Sequence, residues 1–215
     1  MTVLSPPPLE FDHPLDYRDE INARFDRVRV LIIPERRYLM IDGTGAPGGP
    51  VFAGAMASLY PVAYTLHFTL KKRGLDAPVG ALEGLYWIGI PGPISPGEFA
   101  LPDLAERWAW RLLLPVPALA EDEDVAAAIA QVCERKSPPT IDQLRVERWD
   151  EGLVAQIMHV GPYDAETATI EALHAAIAAR GLRVRDCHHE IYISDPNRTA
   201  AGRLKTVIRQ PVELA

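Results

Sequence analysis

The sequence predicts an α+β protein built from two copies of one strand, helix, strand, strand unit. Two observations carry this prediction: both halves of the 215-residue chain show the same order of elements, and short segments around each predicted helix resemble each other. IDGTGAP resembles MHVGPY before the helices, and EGLYWIGI resembles HHEIYISD after them. We therefore expect pseudo-two-fold repeats at about residues 26–118 and 144–215, joined by a helical connector at about 119–143.

The first repeat begins with two short strand-like runs that lead into a glycine-rich turn. VRVLII and RRYLMIDG predict these strands, and VFAGAMASLYPVAYTLHFTLKKRG predicts a long helix because its apolar residues recur every three or four positions. Pro61 predicts a kink in that helix. VGALEGLYWIGI and RWAWRLLLPVP predict two further strands, joined by an irregular loop at 91–102.

The second repeat follows the same order. LRVERWDEGLVAQIMHVGPY predicts strands, DAETATIEALHAAIAARG a helix capped by Asp164 and ended by Gly181, and CHHEIYIS and LKTVIRQPV two more strands. EDEDVAAAIAQVCERKSPPT predicts a short connector helix that is ended by prolines. Residues 1–25 predict a proline-rich arm, since they hold too few apolar side chains for a core of their own.

Composition argues against several classes of function. The 29 acidic and 22 basic residues give a formal net charge of -7, which repels polyanions, so no nucleic-acid partner is expected. The chain has two cysteines, which we interpret as free thiols packed inside a protein of a reducing compartment. No segment reaches the ~20 consecutive apolar residues of a membrane helix. We therefore expect a soluble, cytoplasmic protein without a membrane partner. The sequence does not define the oligomeric state, although a monomer is favoured.

The segment from Cys187 to Ser194 holds the main functional candidate, Glu190. Side chains alternate along a strand, so one face carries His188, Glu190, Tyr192 and Ser194. The other face carries Cys187, His189, Ile191 and Ile193. We expect this more apolar set to face the helices, which would place Glu190 on the opposite face. An alternative stays open, in which Glu190 only forms an exposed ion pair, typically stabilising by under ~1 kcal/mol.

Three segments resemble the GyrI-like small-molecule-binding family: SLYPVAYTL (58 to 66), APVGALEGLYW (77 to 87) and HHEIYISDPNRTAAGRLKTVIRQPV (188 to 212). The resemblance covers nearly everything after residue 25. It implies one domain over 26–215, with an antiparallel sheet layer, helices on one face and a hydrophobic ligand cleft on the other. Its members include drug-sensing domains of transcription regulators, multidrug-binding proteins and hydrolases that open cyclopropane rings. No helix-turn-helix segment precedes this domain, so a direct regulator is not expected.

The resemblance also implies that Glu190 is the glutamate that ligands meet. Aligning the strand around Leu85 with that around Glu190 pairs Trp87 with Tyr192 and Glu83 with His188. Glu83 and Trp87 are therefore expected to be walls of the same cleft, with His188 and Tyr192 beside Glu190.

Four more aromatic residues are candidates for the cleft. The family pattern points to Tyr60 and Tyr64, which lie at i and i+4 on one helix face. Trp108 and Trp110 alternate onto one face of their strand. Core packing is the common alternative for aromatic residues at such spacings, and it stays open for Tyr60, Tyr64 and Trp87.

A buried carboxylate among aromatic rings favours cationic ligands, because a cation relieves the cost of burying the charge. The first hypothesis is therefore the binding of hydrophobic or cationic aromatic small molecules. The alternative is a hydrolase in which Glu190 activates water for attack on an electrophilic ring, with Tyr192 stabilising negative charge. A third possibility is a module that inhibits a partner protein such as gyrase. The family name suggests it, but no residue of the sequence supports it.

Two motif-like segments are weaker signals. Gly43, Gly45 and Gly48 have the spacing of a dinucleotide fingerprint, but Pro47 interrupts the loop and no acidic residue follows at the required distance. The string from Cys187 to Glu190 places only His188 and Glu190 on one face, too few for a metal site. We expect neither a cofactor nor a metal.

Overall fold

The structure is a computed structural model that describes residues 11–101 and 104–215. Residues 1–10 of the predicted arm and residues 102–103 of the predicted loop lie outside this part. The helices are α1 (Tyr17–Glu20), α2 (Pro50–Lys72), α3 (Leu104–Arg107), α4 (Asp122–Arg135) and α5 (Thr167–Ala178). The strands are β1 (Arg29–Ile33), β2 (Arg36–Thr44), β3 (Leu82–Ile88), β4 (Trp108–Pro115), β5 (Arg145–Trp149), β6 (Gly152–Val160), β7 (Leu182–Val184), β8 (His188–Tyr192) and β9 (Lys205–Leu214).

Most of these elements lie where the sequence predicts them, but α1, α3 and β7 were not predicted and two further segments differ locally. The helix of the second half begins at Thr167 instead of following an Asp164 cap, because Tyr163–Ala165 forms a separate 3-10 turn. The loop after β3 is also partly regular. It contains the 3-10 turn Pro96–Ala100, whose start is fixed by the Glu98 carboxylate accepting hydrogen bonds from the Ser95 backbone and hydroxyl.

The strands form one antiparallel sheet in the order β1, β6, β9, β8, β3, β4, β2, β5, with β7 added beside β9. The predicted α+β class with an antiparallel sheet is confirmed. β8 and β3 lie side by side at the centre, and the strands on either side follow a symmetric order. This order is what a duplication would produce, and the duplication itself stays a prediction.

The long helices cover one face of the sheet. α2 packs on β2 and β4 and contacts α4, whereas α5 packs on β6, β7 and β9. The core beneath α2 includes Leu59, Leu66 and Leu112, and that beneath α5 includes Leu173 and Ile208. None of the helices in the described ranges is long and apolar enough to cross a membrane.

Gly43 of β2 is required by the packing of this core. A Cβ at this position would lie 2.2 Å from the Trp110 ring, which is fully buried. The ring cannot move away, because it packs edge-on against Phe52 with centroids 5.1 Å apart and its Nε1 donates to the Gly45 carbonyl.

We expect Gly43→Ala to lower the free energy of unfolding by about 1 to 3 kcal/mol through overpacking. Gly54→Ala in α2 is the matched control, since its added Cβ would meet only the Thr140 methyl group at an ordinary 3.7 Å. Urea unfolding measures both variants. Equal stability of Gly43→Ala and the wild type would contradict this account.

The second face of the sheet, here called the back face, is covered in part by the arm segment 11–27. α1 of this segment is anchored by charged groups: the Glu20 carboxylate is fully buried and accepts hydrogen bonds from Arg36 at 2.6 Å and Arg209 at 3.2 Å. The Tyr17 hydroxyl donates to Glu83 at 2.9 Å. Buried charges are tolerated only when they are paired, so these contacts fix the position of the arm.

His189 of β8 lies at the centre of this back-face network. Its Nδ1 lies 2.7 Å from Glu151 and its Nε2 lies 3.1 Å from Glu83. Burial alone would lower the pKa of His189, but the two carboxylates raise it to about 9. The imidazole is therefore protonated at neutral pH, and both of its N–H groups donate.

The raised pKa of His189 makes stability depend on pH. The unfolded chain has a histidine pKa of about 6.5, so the stabilisation is complete below about pH 6.5 and is lost as the pH rises through about 9. We expect the wild type to lose about 3 kcal/mol more than His189→Gln across this window. Chemical unfolding at several pH values measures the slopes. The control His13→Gln, at an exposed site, should show the same dependence of unfolding free energy on pH as the wild type. The same dependence in His189→Gln would contradict the raised pKa of His189.

Candidate functional site

Glu190 lies in the middle of β8 and faces the helices. Its partners across the sheet are Gly84 on β3 and Ile208 on β9, and Ile208 belongs to the core beneath α5. The prediction that Glu190 faces away from the helices is therefore wrong. Strand alternation grouped the side chains correctly, but both faces of this strand are buried, so hydrophobicity could not identify the helix side.

The Glu190 carboxylate is held by hydrogen bonds from its own strand. The Tyr192 hydroxyl donates to it at 2.7 Å, and His188 Nε2 lies 3.1 Å from its other oxygen. The Tyr86 hydroxyl contacts the Tyr192 hydroxyl and continues this chain. Burial acts to raise the pKa of Glu190, but His188 and Tyr192 lower it, so the group is a carboxylate at neutral pH.

A second carboxyl group, Glu166, lies beside Glu190 and was not predicted. It is buried at the start of α5. Burial and the negative charge of Glu190 raise the pKa of Glu166 to about 10. The site thus combines a neutral carboxylic acid with an ionised carboxylate, as two adjacent carboxyl groups often do.

The sequence did contain a signal for Glu166. It continues the apolar stripe of α5, since Ile170, Leu173 and Ile177 follow it at helical spacing and are all buried. An acidic residue at the N-terminus of a helix is usually an exposed partner of the helix dipole, so the position of Glu166 on the stripe did not identify it as a site residue.

Two buried ring nitrogens near Glu190, His188 Nδ1 and His174 Nε2, have no hydrogen-bond partner among the described residues. The Thr206 side chain forms a hydrogen bond with Glu166. Thr206 pairs with Tyr192 across β8 and β9. Burial and the neighbouring His188 lower the pKa of His174. Buried polar groups in proteins nearly always have a partner, so this cluster is suited to a water molecule or a polar ligand group.

Aromatic rings enclose this polar centre: Tyr86, Phe99, Trp108, Tyr163 and Tyr192. Phe99, from the 3-10 turn after β3, packs edge-on against the His188 ring with centroids 4.8 Å apart. Tyr163, before α5, packs edge-on against Tyr192 at 5.7 Å. Loops from both halves of the chain therefore complete the walls, and only Tyr192 and Trp108 among these residues were candidates from the sequence.

Tyr60 and Tyr64 lie on α2 at the outer side of this cluster. Tyr60 is half-buried and packs against the core that Tyr192 also contacts. Tyr64 stacks on it with ring centroids 6.2 Å apart and is 49% exposed. Tyr60 therefore borders the site, whereas Tyr64 lies on the surface next to it.

The structure does not bring Glu83, Trp87 or Trp110 to Glu190. Glu83 and Trp87 lie on the back face, because Gly84 and not Leu85 is opposite Glu190. The sequence alignment of the two strands was shifted by one residue, and such a shift moves every side chain to the other face.

These residues have other environments. Trp87 lines a small pocket of about 130 Å³ with Trp149 and Cys187, and Trp110 is fully buried in the core. A second, wider groove of about 510 Å³ lies beside the arm and away from Glu190. Its lining includes Ile21, Phe25 and Met158. Within 11–101 and 104–215, no group of three or more His, Cys, Asp or Glu side chains is arranged to hold a metal ion.

We expect Glu166→Gln to stabilise the protein at neutral and alkaline pH. A folded pKa of about 10 lies above the unfolded value of 4.5, so the wild type loses stability as the pH rises between them. A neutral glutamine removes this loss, so its advantage over the wild type should grow by about 4 kcal/mol between pH 5 and pH 8. Chemical unfolding at about pH 5 and pH 8 measures the gain. The control Glu171→Gln, on the exposed side of α5, should show no such gain in stability. If Glu166→Gln shows no gain that depends on pH, Glu166 is not protonated in the folded protein.

Comparison with known proteins shows which family the chain belongs to. A model of the GyrI-like small molecule binding domain matches residues 115–213. A hydrolase from Listeria innocua is 30% identical, covering 92% of this chain and 96% of its own, with a TM-score of 0.76. An uncharacterized conserved protein from Listeria innocua is 28% identical over 92% and 97%, with a TM-score of 0.81.

More distant similarity concerns the fold alone. The C-terminal domain of EcmrR is 13% identical over 88% of this chain and 98% of that domain, with a TM-score of 0.55. No protein with a curated function matches. With a relative at 30% identity over nearly its whole length and a matching domain model, the chain belongs to the GyrI-like small molecule binding domain family.

Proposed function

We propose that the protein is a hydrolase that opens a strained, electrophilic ring in an aromatic small molecule, such as a cyclopropane. The observation that carries this proposal is the pair of adjacent carboxyl groups, Glu166 and Glu190, in opposite protonation states. Hydrolysis of such a ring needs a base that takes a proton from water and an acid that supplies one to the product. Enzymes commonly obtain both roles from two carboxyl groups with separated pKa values.

In the proposed reaction, Glu190 takes a proton from a water molecule while the water oxygen attacks a ring carbon. The ring bond to that carbon breaks, and its electron pair passes into the conjugated part of the substrate. Glu166 donates its proton to the atom that receives this charge. Glu190 then holds a proton and Glu166 is ionised, so proton transfer between the two neighbouring groups restores the starting state.

Tyr192 and His188 act in this scheme as positioning residues. The Tyr192 hydroxyl already donates to Glu190 at 2.7 Å, so it orients the base and is not free to stabilise negative charge on the substrate. His188 does the same at the other carboxylate oxygen. The aromatic walls would bind the flat part of the substrate by stacking and exclude bulk water.

Relatives support the hydrolase proposal. Two solved structures from Listeria innocua, 28% and 30% identical to this chain and covering more than nine tenths of it, are described as hydrolases. Sequence similarity at this level over a whole chain supports more than a shared fold.

A second candidate, binding without turnover, is favoured by the charge of the site. Glu190 is ionised, and Asp195 adds a second carboxylate near Tyr60 and Tyr163 at the border of the site. Carboxylates and tyrosine rings together attract lipophilic aromatic cations.

The test compares Glu190→Gln, Glu166→Gln and the control Glu171→Gln with two compounds, a cyclopropane-bearing aromatic substrate and a cationic dye without a cleavable ring. We expect both site variants to lose about 10²- to 10⁴-fold in turnover, as is typical when a general acid or base is removed. Dye binding should weaken only in Glu190→Gln, because Glu166 is neutral and glutamine preserves its charge state.

The pH profile gives a further criterion. Activity should rise as Glu190 ionises below its ordinary range and should fall as Glu166 loses its proton near pH 10. Full turnover by Glu190→Gln would contradict the hydrolase proposal. Dye binding that depends on Glu190, without turnover of the cyclopropane compound by the wild type, would instead support the second candidate.

A further inference from the structure

A groove of about 510 Å³, here called the arm groove, lies on the back face between the arm and the ends of β6, β8 and β9. The arm contributes Arg18 and residues 21–25, and the sheet side contributes Met158, Val160, Ile193 and Lys205. The volume lies within the range of about 300 to 1,000 Å³ that is typical of small-molecule sites. The proposed reaction at Glu190 does not use this groove.

The arm groove is separate from the Glu190 site. Tyr192 and Thr206 are paired across β8 and β9 on the helix side of the sheet. Their neighbours Ile193 and Lys205 therefore point to the back face, because side chains alternate along a strand. A ligand in the arm groove would lie on the other side of the sheet from the two carboxyl groups.

The lining of the arm groove is mainly aliphatic. Ile21 and Met158 pack against a buried core cluster of the back face. Beside them, Phe25, Val160 and Ile193 are 71%, 46% and 37% exposed. Contiguous exposed apolar surface commonly marks a binding site. Because Phe25 is the single aromatic side chain of the described lining, the groove suits an alkyl chain better than a flat ring system.

The border of the arm groove is basic. It contains Arg18, Arg24 and Lys205, and the described lining contains no Asp or Glu. Arg24 is paired with Asp26 at 2.9 Å, whereas Arg18 and Lys205 are exposed and have no ion-pair partner in the described part of the chain. The whole chain has a formal net charge of -7, so this basic border is a local feature. A local group of unpaired cations attracts an anionic head group.

The backbone beside the groove argues against a peptide strand as the occupant. A bound peptide would extend the sheet through hydrogen bonds to the outer edge of β6. The Met158 N–H at this edge already donates to the Arg24 carbonyl at 2.9 Å, so the arm occupies the position. The concave shape also does not fit the flat surface of a bilayer. A free small molecule fits the groove better than either.

We propose that the arm groove is a second ligand site, which binds a free single-chain amphiphile with a carboxylate head group. Its alkyl chain would lie along Ile21, Met158 and Ile193, and its carboxylate would lie at the basic border formed by Arg18 and Lys205. Such a ligand contacts the arm and the sheet together, so it also holds the arm on the back face. The inference does not depend on the proposed hydrolase function.

The experiment measures the Kd of decanoate and of the neutral decanol by isothermal titration calorimetry, at concentrations below micelle formation. The main variant is Arg18→Gln/Lys205→Gln, which removes both unpaired cations. Its matched control is Arg135→Gln/Lys136→Gln, which changes the net charge equally at exposed positions at the end of α4.

We expect the wild type to bind decanoate about tenfold tighter than decanol, because two cations lie near the carboxylate. Arg18→Gln/Lys205→Gln should bind both compounds with the affinity of decanol, while the control variant should match the wild type. Octanoate should bind about four- to tenfold more weakly than decanoate, since each CH2 group removed from water contributes about two- to fourfold.

A second variant tests the apolar wall. Phe25→Ala should weaken the binding of decanoate and decanol alike, by about two- to tenfold. Ile90→Ala is the control, because Ile90 is 82% exposed and lies outside the groove, and it should bind both compounds as the wild type does.

Several results would overturn the inference. Equal affinity of the wild type for decanoate and decanol, or a preference for decanoate that Arg18→Gln/Lys205→Gln retains, would contradict the role of the basic border. A changed affinity for decanoate in Glu190→Gln would place the ligand in the other site. Binding to vesicles of anionic lipid without binding of decanoate would identify a membrane as the occupant. A dimer in gel filtration that Phe25→Ala abolishes, again without binding of decanoate, would identify a second copy of the chain. None of these measurements involves turnover of a ring compound, so failure of the proposed function is a separate result.

Discussion

The central strand β8 is buried on both of its faces and carries ionisable groups on each, and this constraint organises the rest of the protein. On the back face, His189 pairs with Glu151 and Glu83, and Arg209 pairs with Glu151 and Glu20. Removing such groups from water is costly unless every charge has a close partner. The arm supplies Glu20 and Tyr17 for this purpose, so a segment that could not fold alone becomes part of the domain.

The helix side of the same strand meets the constraint in a different way. Glu190 receives hydrogen bonds from Tyr192 and lies against His188, while the neighbouring Glu166 remains neutral because two adjacent buried carboxylates would repel each other. Both ring nitrogens of His189 on the back face have carboxylate partners, whereas His188 Nδ1 and His174 Nε2 on the helix side have none among the described residues. On the back face, one nitrogen each of Arg36 and Arg209 also lacks such a partner.

The position of the site also follows from the strand order. β3 and β8 are adjacent at the centre of the sheet, and the helices α2 and α5 cover its two sides, so the space over the central pair lies between them. Residues from both halves then reach the same point: Phe99 and Trp108 from the first, Tyr163 from the second.

The sequence alone predicted most of the strands, the long helices, the α+β class and the alternation of β8, because periodicity and local propensity are properties of short segments. It also offered Glu190 as a candidate, which stays a prediction. It could not determine which face of β8 meets the helices, since hydrophobicity separates buried from exposed residues but does not distinguish two buried faces. The alignment of the two repeats matched Leu85 with Glu190, whereas Leu85 lies on the same face as His189, and this error of one residue moved Glu83 and Trp87 to the wrong side. The role of Glu166 and the anchoring of the arm through Glu20 depend on charges that are distant in sequence and adjacent in space, so only the tertiary structure decided them.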